Sequence, residues 1–488
     1  MKLKSIAGVK QGHIDSSDDY KVYINPALNT IEKSTLGVWV GPINVAITGV
    51  AHDLHLMTNS QSKLQALLRI AEHYVSRYKI KYGAEKTKIT IVGSNIDMDY
   101  YQQVSPWIMD KQKVKVVENN DHLGQIISGT RQIQKNVDES LKRGRNSLFG
   151  LLGPAFAFKC LLSPLVKIHL FRTYTCPRLR SGLSSLALRQ CHLSTLALFH
   201  RKSLKGFLHL SKCAPTPAIH FLLGELPLEG KIHRDMLSLF YGVWSNPDTK
   251  VYHIVKYLLS TSSENSTTWT INLRHICKMY GLEDPLTSLS KNPPSKNTYK
   301  EVIMTKISAF HEKELKNQAL KNSQMVYLNV NLSSLRGKSH PCLSNVITSH
   351  EVKKLRPHLK FLSGDYLTYQ TRFQRTQKGS PLCKICESEN ETISHILAIC
   401  PQYNEVRRRI FSQISAVSKL SKTQLNINLI IQNPEHFTQF ILDPTSFNLE
   451  NRVHRDDPIV QVLFKLSRDM CYSIHNARMK KLKELFEK

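Results

Sequence analysis

Acidic residues are scarce in this 488-residue chain: 38 Asp and Glu stand against 67 Lys and Arg, a formal net charge of +29. So large a deficit predicts attraction to a polyanion, most simply a nucleic-acid backbone whose phosphates the cations neutralise. The bland alternative is a basic surface that binds nothing in particular. Long apolar runs are lacking too. The best, 148–171, is broken by Lys159, Lys167, Pro154 and Pro164, so no membrane span is expected. The opening MKLKSIAGVKQGH has no apolar core, and no secretory signal is expected. Cysteine is sparse, ten in 488 residues, which argues against a disulfide framework. Three of the ten cluster, a pattern of metal binding in a reducing compartment. A nuclear or cytoplasmic, intracellular protein without membrane partners follows.

The remainder is ordinary globular composition, 41% apolar and 22% charged, with room for two to four domains. Residues 1–125 mix short β-like runs with one clear helix from Ser62 through Tyr78, followed by a strand at 88–93. From about 131 to 260 the pattern turns helical. Residues 131–212 hold fifteen Lys and Arg but only two acids, Asp138 and Glu139. That is the natural place for a groove along a phosphate backbone, with Lys142, Arg143, Arg145, Arg178 and Arg180 as candidate contacts. The Ser/Asn/Pro-rich stretches 260–268 and 284–297 read as loops or linkers. A compact module follows over 351–415. From Asp456 onward, Ile459, Leu463, Leu466, Met470 and Ile474 form the stripe of an amphipathic helix. The fold class expected is α+β.

The strongest local signal is Cys383-x2-Cys386-x8-His395-x4-Cys400. A Cys-x-x-Cys turn presents two thiolates to one tetrahedral Zn²⁺, and a His and a Cys about one helical turn apart close the shell. Four protein ligands leave no open position for water, so the site is expected to be structural. The competing reading is a set of buried thiols without metal. Cys191, His192, His200, His209 and Cys213 lie at irregular spacing and read as core and surface residues.

A second feature is VAITGVAHDLHLM, 45–57: two apolar, β-leaning arms meeting at His52-Asp53. Polymerases present aspartates to two Mg²⁺ ions from such a tip. Gly8-Val9-Lys10-Gln11-Gly12 precedes the hairpin. The helix, then Gly83-Ala84-Glu85-Lys86-Thr87-Lys88, a strand and His122-Leu123-Gly124 follow it. Ser363-Gly364-Asp365-Tyr366-Leu367 stands just before the cysteine cluster.

In this order the features resemble the reverse transcriptase of non-LTR (LINE-type) retrotransposons, over most of the chain. The resemblance implies a partial palm (1–125), a helical basic thumb (126–260), a connector (261–350), a Cys-Cys-His-Cys zinc module (351–415) and a helical tail (416–488). It implies that Gln11 and Gly12 pack under template and nucleotide, and that Lys86 faces nucleotide phosphates. The partners implied are RNA, DNA or both, with a possible missing N-terminal portion of the same element.

Three departures bear on activity. His52 takes the first Asp position of the tip tetrad, and a neutral imidazole supplies Mg²⁺ with neither charge nor oxygen. The family's other metal-binding aspartate lies upstream of Gly8, and no acid precedes Asp15. Acids at 15–19 stand where the family has small apolar residues, and Ser17-Asp18-Asp19 reads as a solvated loop. The expectation is a truncated RNA-directed DNA polymerase relative, inactive alone, with Asp53 vestigial, Mg²⁺ not bound and structural Zn²⁺ retained. The alternative is a non-catalytic, zinc-containing nucleic-acid-binding protein.

Overall fold

The computed structural model describes residues 15–50, 53–77, 83, 85–93, 96–156, 162–420, 430, 432–446 and 458–487. It is mostly helical with small two-stranded sheets, an α+β protein in the broad sense. The chain divides into two compact units: one of 1–136, 185–187 and 237–296, the other of 137–184, 188–236 and 297–488.

The first unit opens with α1 (Ser16–Lys33). Asp18 and Asp19 lie in its first turn, where the helix dipole favours negative charge, and both face solvent. The expected loop at 17–19 is therefore a helix start; its acids are exposed, so no buried carboxylate has to be neutralised. Hairpins follow: β1 (Val38–Val40) with β2 (Ile43–Val45), and β3 (Ile47–Val50) with β4 (Asp53–Leu56). Ile31 of α1 and Ala46 meet Leu67 and Ala71 of α2 (Gln61–Arg77) in one small core.

A second core gathers Leu68, Ile89, Trp107, Met109, Val114 and Val116. It draws on α2, β5 (Lys88–Ile89), the region after α3 (Met98–Val104), β6 (Ile108–Met109) and β8 (Lys115–Val116), while both residues of β7 (Gln112–Lys113), paired with β6, are exposed. Burying each large side chain contributes about 1.5–3 kcal/mol. The Trp107 indole N–H donates to the Gln61 carbonyl at 3.1 Å, so its polar end is satisfied. β5 pairs parallel with β8, whereas β9 (Asn119–His122) and β10 (Gln125–Ser128) form an antiparallel hairpin. Leu123 and Gly124 turn that hairpin, both at positive φ, as a two-residue primed turn requires. Among the described residues the strands form five separate two-stranded ladders rather than one palm-like sheet.

The second unit is helical: α4 (Gln132–Phe156, from Val137 on), α5 (Pro164–Leu170), α6 (Cys176–Arg180), α7 (Gln190–Phe207), α8 (Thr216–Leu223) and α9 (Leu228–Trp244, to Met236). Pro217 through Leu223 carries no acid, Lys or Arg, and every residue of it is buried, as suits a helix apolar all round. Gly224 ends it at φ +59°. A Cβ there would run into the Lys338 carbonyl. Next to it, buried Glu225 receives Arg172 at 2.7 Å and the Lys231 ammonium, with His200 at 3.3 Å. The charges pull the carboxyl well below its usual range against the opposing effect of burial.

The span 261–350, expected as connector, is largely folded. It holds α11 (Trp269–Met279), α12 (Pro285–Leu289) and α13 (Lys296–Leu320), preceded by α10 (Lys250–Thr261). Thr268 and Asp284 cap helices: each side chain accepts a backbone N–H. Polar residues that read as linker are helix caps here.

Beyond it come α14 (Ser349–Leu362), α15 (Tyr369–Thr376), α16 (Asn404–Leu420), α17 (Pro434–Leu442) and α18 (Pro458–Phe486). Ile459, Leu463, Met470 and Ile474 of α18 are buried as the stripe predicts, with Leu466 half-buried. α18 packs on α14. Among the described residues, no helix is long and apolar enough to cross a membrane.

Candidate metal centre

The knuckle at 381–391 is a small loop pinned at its neck. Cys383 N–H donates to the Glu389 carbonyl and Glu391 N–H to that of Pro381, both at 2.9 Å. Inside it, Glu387 N–H donates to the Cys383 carbonyl at 2.8 Å, and Glu387 takes φ +56° to complete the turn. The turn sets Cys383 and Cys386 on one side. The other two donors come from a single π-turn, His395–Ile399, closed by Cys400 N–H donating to the His395 carbonyl at 2.7 Å. An α-helix aligns residues four apart; the x4 spacing makes these five apart, and the wider π-turn accommodates the extra residue. Pro401 then ends the turn and α16 begins at Asn404.

The result is a compact ligand set. One donor atom from each of Cys383, Cys386, His395 and Cys400 lies within 4.8 Å of every other. A tetrahedral zinc with Zn–S near 2.3 Å would hold sulfurs about 3.8 Å apart, so the set needs only slight contraction. Cys383, His395 and Cys400 are buried and Cys386 half-buried. His395 turns Nε2 toward the Cys386 sulfur at 3.3 Å, and its Nδ1 meets Glu389 at 3.3 Å. A carboxylate behind a ligating imidazole fixes the tautomer that leaves Nε2 free for metal. The Cys400 thiol donates to Cys383 and, with backbone N–H groups of Ile385 and Cys386, brings Cys383 down to about 4 despite burial. The same hydrogen bond pushes Cys400 up. The donor set, three thiols and an imidazole, suits a metal such as zinc.

The module is braced from behind. Glu391 is fully buried and accepts two hydrogen bonds from Arg478 of α18, at 2.9 and 2.8 Å, plus the Tyr369 N–H at 2.8 Å. The Arg478 guanidinium also sits over the Tyr366 ring at 5.5 Å and the Tyr369 ring at 5.8 Å. Arg407 donates to the Cys400 carbonyl. Glu389, Glu391, Arg407 and Arg478 carry no signal in the sequence: their partners are set by packing, 87 residues apart for Arg478 and Glu391.

The hairpin forms with Val50 opposite Asp53. Asp53 starts β4, exposed; His52 lies outside the described residues, as do Gln11 and Gly12. His55, two residues on and so on the same strand face, stacks on His122 with ring centroids 3.6 Å apart. Burial, then His122, lower the His55 pKa, with Asp53 opposing. Lys86 is exposed in a turn that closes on Gly83.

Of the candidate phosphate contacts, Arg145 and Arg178 are exposed and make no ion pair among the described residues. Lys142 pairs weakly with Glu139 at 3.5 Å, and Arg143 leans on Ser140 and the Ser181 carbonyl. Arg180 is committed to Asp235, mostly buried, and so is unsuited to a backbone contact. Of the discounted residues, His200 joins the Glu225 network and His209 meets the buried Lys167 at 3.2 Å, while Cys191 and Cys213 face solvent. No protein-family model matches the chain, and no curated protein matches it.

Proposed function

We propose that this chain is a reverse-transcriptase-derived protein that binds nucleic acid without polymerising, its C-terminal end held in shape by one zinc ion. The observation that carries the reading is the Cys383-Cys386-His395-Cys400 set, complete in four protein donors and backed by Glu389. A closed shell suits a structural metal, whose binding energy is folding energy. Zinc there would neutralise thiolates and fix the knuckle against α16.

Support for the ancestry is the order of elements around the hairpin. A helix (α1), the β3–β4 hairpin, a helix (α2), a strand (β5) and the β9–β10 hairpin turning at Leu123-Gly124 stand in that order, with β1–β2, α3, β6–β7 and β8 interspersed. That is the order in which the resembling motifs stand. Support for lost polymerisation is the tip. His52 replaces the first aspartate, and near Asp53 stands the imidazole of His55, itself stacked on His122. Mg²⁺ asks for hard oxygen ligands there, and without them the charge stabilisation of phosphoryl transfer is lost. Support for nucleic-acid binding is the net charge of +29 and exposed cations such as Arg145 and Arg178.

The test is primer extension on a primed RNA template with dNTPs and Mg²⁺ or Mn²⁺. The expected result is no extension beyond a His52→Ala/Asp53→Ala control; extension above it overturns the loss of activity. A parallel titration of labelled RNA is expected to weaken at least tenfold between about 50 and 200 mM salt. Salt-insensitive binding would overturn the backbone-contact reading.

A further inference from the structure

Beside the zinc knuckle lies a cleft of about 330 Å³ between α16 and α17. Its floor and walls come from Asn404, Arg407, Arg408 and Phe411 on one side and Pro434 and Phe437 on the other. The first four sit at helical spacing on one face of α16. Phe437 is 8% exposed and Phe411 half-buried; among the described residues neither ring takes part in a ring contact. Arg407 spends one Nη on the Ile399 and Cys400 carbonyls and on Asn404, while its Nη1 is buried with no hydrogen-bond partner. Arg408 is exposed and makes no ion pair among the described residues. The Nη1 atom is out of reach of a ligand, so the cleft offers two aromatic walls, a side-chain amide and the exposed cation of Arg408.

We infer that this cleft takes one unpaired nucleobase of a single-stranded nucleic acid, with Arg408 on the adjoining phosphate. The inference rests on the nucleic-acid-binding reading above and gives it a site. A nucleotide joins a flat ring, hydrogen-bond acceptors at the ring's edge and an anion in one unit, and each has its counterpart here. The ring lies against Phe411 and Phe437, the edge meets Asn404, which Arg407 holds in place, and the phosphate meets Arg408. Stacking on aromatic side chains with Arg at the backbone is how single strands are held without a strong sequence preference. A duplex keeps its bases inside and cannot fill the cleft. An acidic peptide satisfies the arginines and leaves the aromatic walls with nothing flat to cover.

The experiment uses the full chain with zinc and fluorescence anisotropy of a labelled 12-nucleotide single-stranded RNA. Its arms are the matched duplex, the same strand with central abasic sites, and an Asp/Glu-rich peptide as competitor. Phe411→Ala is expected to weaken single-strand binding roughly tenfold, while leaving duplex binding within twofold. The abasic strand is expected to bind wild type as weakly as the intact strand binds Phe411→Ala, with no further loss when the two are combined. Arg408→Ala, at an exposed position, is expected to reduce the slope of log affinity against log salt by about 0.7. Zinc content and melting temperature of each variant report its folding. The inference is overturned if Phe411→Ala, folded and zinc-loaded, binds the intact strand like wild type. It is equally overturned if abasic and intact strands bind alike, or if the acidic peptide competes as well as the RNA. Wild type that binds RNA but shows no Phe411 effect sinks the cleft alone; wild type that binds no RNA sinks the underlying reading as well.

Discussion

Single residues carry much of what holds the metal module in place. Arg478 and Glu391 form a bidentate pair almost wholly out of water. Removing one partner strands the other, which typically costs about 3–5 kcal/mol. Arg478→Ala is therefore expected to lower unfolding stability by that much in a denaturant titration, whereas Lys480→Ala, in an exposed pair two residues along, should change it by less than about 0.5 kcal/mol. Buried imidazoles set the acid side of the stability profile. Burial lowers His233 and His311 to about 4 each, with His311 also disfavouring charge on His233. An unfolded histidine titrates near 6.5, so below that pH the unfolded chain binds protons that the folded one refuses. Stability is thus full above 6.5 and falls as pH drops toward 4, by about 2 kcal/mol per imidazole at pH 5. Urea midpoints at pH 7.5 and 5.0 measure it, and the double His233→Gln/His311→Gln variant should shrink the difference, with half-buried His209 and buried His220 and His358 sustaining the remainder. None of these residues was legible beforehand: an Arg, a Glu or a His looks the same in sequence whether it is buried or wet.

Elements show where local sequence suffices. The four candidate metal donors were legible because a knuckle and a π-turn are both made within 18 residues, and spacing alone states which side chains can converge. The β3–β4 hairpin and the stripe of α18 were legible for the same reason. α1 was not, since acids at a helix start and acids in a loop are written alike, just as the caps Thr268 and Asp284 use the same residue types as a linker. Turn glycines give a graded test. Gly364, closing α14 at φ +73°, has no room for a Cβ beside the Gln324 carbonyl. Gly281 has a similar φ, +61°, but open space around it. Gly281→Ala should cost about 1 kcal/mol, and Gly364→Ala at least twice that, read as shifts in the same denaturant midpoint. Metal removal tests the knuckle as an element. One zinc per chain is expected by metal analysis, and Cys383→Ser or a strong chelator should release it with loss of order in 375–415, read by hydrogen exchange.

At the scale of the whole molecule, charge is the legible property and its placement is not. Composition pointed to a polyanion, yet of the five cations named in the basic segment Arg180 is taken up by Asp235 and Lys142 and Arg143 are partly engaged. Reversing the two exposed ones that make no ion pair among the described residues, Arg145→Glu/Arg178→Glu, is expected to weaken RNA binding at least tenfold at low salt and to flatten its salt dependence. Arg180→Glu should instead lower stability, because it sets a second acid against Asp235. The five-part division along the chain is what the resemblance implies; the two compact units are each built from discontinuous stretches. Contacts between distant segments decide that, and no window of sequence contains them.

Discontinuity has a consequence for how the chain is made. On a ribosome, everything that belongs to the first unit has been synthesised once residue 296 is added. The second unit begins at residue 137 but must wait for α14 and α18, the latter ending at Phe486, before its core can close. Apolar helices such as α8, whose Leu222 carbonyl accepts from the His340 N–H, are thus displayed outside the ribosome until at least residue 340 has been added, a window for chaperone capture or aggregation. Slowing elongation after residue 296 should therefore harm the second unit and spare the first.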